Sequence, residues 1–123
     1  MISEQEFYEK IGGDYSDAQS RLMRDKLIRK FVLKFPGDGN FAALKEAIAD
    51  ERLDDAFSYA HTLKGVTLNL AFARLSAATV TLCDMLRPQN REALELQSVN
   101  DCFRTVEKEY SAVLDAIELL KSE

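Results

Sequence analysis

The sequence predicts an all-α fold: an antiparallel four-helix bundle with one or two short extra N-terminal helices. Three observations carry this. Apolar residues recur at spacings of three and four along most of the chain, which is the period of a helix. Five glycines and two prolines in 123 residues leave few breaks, so the helices are long and the loops short. No stretch alternates as a strand would, and there is no internal repeat or low-complexity linker. At this length residues 1–123 make one domain, large enough to bury a real core, and 46% hydrophobic residues is ordinary for a globular protein.

The elements follow in order. Ser3 with Glu6 three residues later forms a capping-box pattern that opens a short helix through about Lys10. Gly12-Gly13 breaks it. Asp14 or Ser16 caps a second helix, with Ala18, Leu22, Leu27, Phe31 and Phe35 near its buried stripe, and Pro36-Gly37-Asp38-Gly39 ends it. Asn40 caps a third helix with Leu44, Ala47 and Ile48 inward. A Glu51-Arg52-Leu53 link leads to Asp54, the expected cap of a fourth. The next helix runs from about Phe72 to Leu86, and Arg87-Pro88-Gln89-Asn90 forms a polar hairpin loop. A last helical region reaches about Lys121, with Gln97-Ser98 a place where it can divide. Its stripe of Val99, Phe103, Val106, Tyr110, Val113, Ile117 and Leu120 reads as core, and the protein as a monomer, with a coiled-coil dimer the lesser alternative. Long helices joined by short loops place neighbours antiparallel.

The stretch from Asp54 to Leu70 holds the chain's only histidine. At about 100° per residue, Ala56, Ala60, Leu63, Thr67 and Leu70 share one face, which reads as buried. His61 falls roughly 130° from the middle of that face, so the imidazole points outward. Ser58, Gly65 and Asp54 lie on the same outer side, with Leu68 and Lys64 at its edge. Imidazole is nucleophilic near neutral pH, so it can accept a phosphoryl group and release it again. A lysine at i+3 can neutralise phosphoryl oxygens. A glycine at i+4 costs a helix interior about 1 kcal/mol relative to alanine, and beside a nucleophile it clears space for a second protein. A lone histidine on a helix is usually a surface residue without a role; the glycine is what moves the reading towards function. Phe57 and Leu68 flank His61 at roughly 90° and 110° from the centre of the buried stripe, which makes them an apolar rim suited to a transient interface. Phe57 folded back onto a neighbouring helix is the equal alternative.

These residues carry a family resemblance. His61-Thr62-Leu63-Lys64-Gly65, with Asn69-Leu70 after it, resembles the signature of histidine-containing phosphotransfer (HPt) domains, the intermediate carriers of two-component phosphorelays. Gly12-Gly13-Asp14, Phe41…Leu44…Ala47-Ile48, Leu75 and Leu82 extend the likeness over most of the chain. Two positions depart from the pattern: Val66 stands where the family has a small residue, and Ala71 where it has glycine, a change expected to alter the turn into the next helix. The resemblance implies a carrier without an ATP site of its own. In it His61 takes a phosphoryl group from the phosphoaspartate of one receiver domain and passes it to another. Lys64 stabilises the group's charge, Gly65 gives the partner access, and Phe57, Ser58, Leu68 and Asn69 contact the partner. It implies response-regulator receiver domains and a hybrid histidine kinase as partners, no cofactor on this chain, and Mg²⁺ on the receiver. A non-phosphorylated helical adaptor, or the phosphoacceptor domain of a larger sensor or chemotaxis kinase, is the alternative.

Composition narrows the other classes. A net charge of −5 argues against nucleic acid, which selects basic patches. No apolar run approaches the ~20 residues of a membrane span. Met1-Ile2-Ser3-Glu4 has neither a basic start nor an apolar segment behind it, so a cytoplasmic protein without a signal peptide is expected. Cys83 and Cys102 lie on apolar faces and read as reduced core thiols. One histidine and two distant cysteines make no zinc site, so no metal is expected. The acids Glu4, Glu6, Asp54 and Asp55 sit at helix starts, where they complement the helix dipole.

Overall fold

In a computed structural model the chain is described over residues 2–121; Met1, where the leader reading begins, lies outside the described residues. Among these, seven α-helices and two 3₁₀ turns account for the regular structure, with no strand. The helices are α1 (Glu4–Ile11), α2 (Tyr15–Leu22), α3 (Asp25–Lys34), α4 (Asn40–Ala49), α5 (Leu53–Asn69), α6 (Ala73–Met85) and α7 (Leu96–Lys121). α4 packs on α5, α5 on α6, and α6 on α7, with α7 returning to α4. The short connections make successive helices run antiparallel, which gives the four-helix bundle. α1 and α3 lie against α7, and α2 packs on both α1 and α3. Three helices therefore precede the bundle, one more than the sequence suggests. Among the described residues no helix is long and apolar enough to cross a membrane.

The extra helix arises because the stretch 14–35 is split. Asp14 caps its first half, its Oδ1 accepting the Asp17 N–H at 2.9 Å. At Met23 the backbone turns left-handed (φ 69°), and Arg24 is extended. Ala18, on α2, and Ile28 and Val32, on α3, are fully buried. Ala18, Ile28 and Val32 reach the same core from the two halves. Of the stripe read in the sequence, Ala18 and Phe35 are core and Leu22 packs against it, whereas Phe31 is 40% exposed and Leu27 half-buried; Ile28 and Val32 take the core positions instead. Across the break the Tyr15 hydroxyl donates to Asp25 at 2.5 Å.

Other boundaries shift for local reasons. Asn40 is the first residue of α4 rather than its cap; the Asp38 carboxylate accepts both the Asn40 N–H (2.9 Å) and its Nδ2 (2.8 Å). α5 begins at Leu53 after Arg52, which supplies no side-chain cap. Asp54 is already in the first turn and pairs with Arg91, whose guanidinium also donates to the Leu53 carbonyl at 3.3 Å. α7 runs unbroken through Gln97-Ser98. All seven stripe residues from Val99 to Leu120 are buried, and Gln97 Nε2 donates to Asp101 at 2.8 Å across the first turn. Cys83 is buried, Cys102 half-buried, and both are free.

The aromatic core fixes the end of α5. Phe72 is fully buried in the α5–α6 turn, with its ring centroid 5.2 Å from Phe35, 5.8 Å from Phe7 and 5.9 Å from Tyr8. The Tyr8 hydroxyl donates to the Leu70 carbonyl at 2.7 Å, tying α1 to the same turn. Burial, then the neighbouring Tyr15, pushes the Tyr8 hydroxyl above the ordinary tyrosine range, and the bond to Asp25 raises Tyr15 to about 12. Raised folded-state values mean that the stability linked to both phenols is complete below about pH 10 and lost as pH rises through the folded values. Urea midpoints measured from pH 7 to 11 should fall steeply only above pH 10. Tyr8→Phe should lower the neutral-pH stability by about 1–2 kcal/mol, because the Leu70 carbonyl loses its buried donor.

Ala71 bears on the departure from the family pattern. It closes α5 with φ 58°, while its N–H bonds to the Leu68 carbonyl and that of Phe72 to Thr67, both at 3.0 Å. That is a left-handed helix end, where glycine is at ease and a Cβ is strained. Here alanine holds the conformation because Asp14 N–H is fastened to its carbonyl at 2.9 Å. Ala71→Gly should leave stability unchanged or raise it by up to about 1 kcal/mol, the relieved strain outweighing one buried methyl. A clear fall in the thermal midpoint would contradict this account of the turn.

Candidate functional site

α5 is 17 residues long, and its two sides differ sharply. Ala56, Ala60, Leu63, Thr67 and Leu70 are all buried, as the helical wheel places them. Ser58, His61, Gly65, Leu68 and Asn69 are exposed, while Phe57 and Lys64 are half-buried at the α6 edge. The helix is therefore locked along one side and offers its histidine on the other.

His61 makes no hydrogen bond or ion pair among the described residues. Its nearest ring neighbour is Phe57, one turn earlier, at 6.0 Å between centroids and 58° between planes. Gly65 follows one turn later, about 6 Å along the axis. A Cβ built on Gly65 meets nothing within 4 Å. Packing inside the chain thus gives no reason for glycine here. Gly12 shows the contrast: its φ of 64° strains any side chain, and a Cβ there would displace the Arg74 guanidinium, 2.5 Å away. At Gly65 the missing side chain opens the surface beside the imidazole.

Lys64 and a residue the sequence did not single out bring positive charge to the α6 side. Arg87, read only as part of a polar loop, lies just past the end of α6. Its guanidinium sits 5.7 Å from the centre of the Phe57 ring and its Nε 3.0 Å from Asp84 Oδ1. Burial pushes the Cys83 thiol up, and the charges of Lys64 and Arg87 pull it part of the way back. The antiparallel register of α5 and α6 brings Arg87 to Phe57, and no local pattern in the sequence could have announced it. Phe57 itself meets both alternatives: half-buried, with its ring tilted beside His61 and a face under Arg87.

The remaining candidates part company. Leu68 is 42% exposed and lines a groove of about 440 Å³ with Ala73, Ala77 and Val80 of α6. Asn69 faces the other flank, where it joins Val66 beside α3. Ser58 lies on the His61 face, its carbonyl accepting the Thr62 hydroxyl at 3.1 Å. Among the described residues no cluster of His, Cys, Asp and Glu has the arrangement to hold a metal ion.

Chemically, the arrangement offers an accessible nucleophile, a nearby cation, a cleared approach and an apolar border. No curated protein and no solved structure matches the chain significantly. The family model described as Hpt domain matches residues 37–122, which takes in α4 to α7 and the whole of the His61 face. With that match over most of its length, and a helical bundle to go with it, the chain belongs to the Hpt domain family, whose members are phosphocarriers of phosphorelays.

Proposed function

We propose that His61 is the phosphoacceptor: it takes a phosphoryl group from the phosphoaspartate of one receiver domain and delivers it to the aspartate of another. The observation that carries this is an exposed imidazole, without hydrogen bond or ion pair among the described residues, one turn from a glycine with open space around it, on a helix buried along its opposite side. A ring nitrogen, Nε2 as the one farther from the helix backbone, attacks phosphorus. A P–N bond forms as the acyl-phosphate P–O bond breaks, and the donor's carboxylate departs with that electron pair. The onward step reverses this with a second carboxylate. Lys64 neutralises charge on the group in transit, with Arg87 as a further cation on that flank. Gly65 admits the partner, and Phe57, Ser58, Leu68 and Asn69 border the contact. Mg²⁺ belongs to the receiver's acidic site. The domain acts as a monomeric cytoplasmic carrier rather than a kinase, with a hybrid histidine kinase upstream.

Adding a phosphorylated receiver and then a second, unphosphorylated one tests the reading. A carrier becomes transiently labelled with acid-labile phosphate and passes it on. An adaptor binds but is never labelled, and that outcome would remove the proposal.

The surface around His61 should divide its labour. Leu68→Ala should weaken receiver binding, mainly through faster dissociation, with little loss of thermal stability, because Leu68 is already substantially exposed. Lys64→Ala should slow the single-turnover step by roughly 10–100-fold, about 1.4–2.7 kcal/mol, and change affinity less, since its charge matters most at the transition state. Receiver affinity and transfer rate measured on both variants check this. Equal losses in both quantities for both variants would mean the division is wrong.

A further inference from the structure

Charge is unevenly spread along this chain. Residues 21–34 hold six of its sixteen Lys and Arg but one of its 21 Asp and Glu, so this stretch carries +5 and the remainder −10. The single acid, Asp25, is engaged by the Tyr15 hydroxyl. Arg21 pairs with Asp17 at 3.0 Å, and Arg29 lies 4.0 Å from Glu4. Lys26, Lys30 and Lys34 recur every fourth residue along the exposed side of α3 and make no ion pair among the described residues. Like charges at this spacing work against a helix, so the row is not there for the helix's sake.

Nor is this face a purely solvated one. Leu27 and Leu33 floor a groove of about 420 Å³ whose rim is Arg24, Lys26, Arg29 and Lys30. Along the other edge of α3, Leu22, Phe31 and Phe35 line a second groove of about 590 Å³, with Lys34 at its rim, that continues to Val66 and Asn69 of α5. Met23, at the α2–α3 corner, is 82% exposed. α3 and its lysine row lie outside residues 37–122, and only the α5 end of the second groove falls within the family match.

We propose that the outer side of α3 docks an amphipathic acidic segment of a partner protein, its apolar side chains in the two grooves and its carboxylates against Lys26, Lys30 and Lys34. The size and surroundings of the patch choose this occupant. The lysine row spans about 12 Å at the helical rise, the length of two turns. The rest of the chain is acidic and repels an extended polyanion such as a bilayer or a nucleic-acid strand, whereas a short segment reaches the lysines alone. The second groove ends at Asn69, two turns from His61, so a segment held there would keep its parent protein beside the phosphoacceptor face. The docking itself uses neither His61 nor phosphate.

The test uses the full chain and a labelled helical peptide with glutamates on one face and leucines on the other, followed by fluorescence anisotropy. The parent chain should bind it with an affinity that falls as salt is raised. Lys26→Gln/Lys30→Gln/Lys34→Gln, with its helical circular dichroism unchanged, should bind roughly ten-fold or more weakly, as should Phe31→Gln. A glutamate-only peptide should bind the parent weakly. His61→Gln should bind like the parent, which keeps this result separate from any failure of phosphotransfer. Absence of peptide binding, binding indifferent to the lysine variant, or tighter association with phosphatidylserine vesicles or single-stranded DNA would overturn the proposal.

Discussion

His61→Gln should abolish phosphoryl acceptance and leave the fold untouched. The only imidazole in the chain is exposed and contributes nothing to the core, and glutamine is a comparable helix former, so stability should stay within about 0.5 kcal/mol of the parent. No other side chain on that face is nucleophilic in the same sense: Lys64 serves as a cation, and the Thr62 hydroxyl is engaged by the Ser58 carbonyl. Labelling by a phosphorylated receiver should therefore drop below detection while receiver binding persists. Circular dichroism and a pull-down on the same sample separate the two effects.

Substitutions at Gly65 should act with opposite signs on folding and function. Because a Cβ there meets nothing, Gly65→Ala should stabilise the helix by up to about 1 kcal/mol and transfer phosphate nearly as the parent does. Gly65→Gln should also fold well, yet place a long side chain one turn from the imidazole, where a receiver must approach. Transfer should slow by roughly ten-fold or more, equivalent to about 1.4 kcal/mol. Stopped single-turnover transfer and thermal melts of the two variants check this. Parental rates in Gly65→Gln would show that the glycine serves something other than access.

The motif helix was the most legible part of the sequence, because burial on one side of a regular helix follows from periodicity alone. Each residue assigned to its inner face is buried, and the histidine, the glycine and Leu68 are exposed. The buried row of α7 was equally readable. What escaped depends on partners distant in sequence. The break at Met23 has no glycine or proline to announce it, and Ala18, Ile28 and Val32 would share a face of one unbroken helix, so the apolar pattern does not announce it either. Asp54 looked like a cap because its partner, Arg91, is 37 positions away. Arg87 reaches Phe57 only once α6 has folded back along α5. The Hpt family match leaves the first 36 residues uncovered, and the split helix lies among them.

The central claim is that a phosphoryl group resides on His61 between two receivers. It is tested most directly by quenching the chain in alkali during transfer from a phosphorylated receiver and mapping the phosphate by fragmentation mass spectrometry. The account predicts one modified residue, His61, with the label lost on adding a second receiver. Phosphate at any other residue, or a labelled His61 that no receiver can discharge, would contradict it.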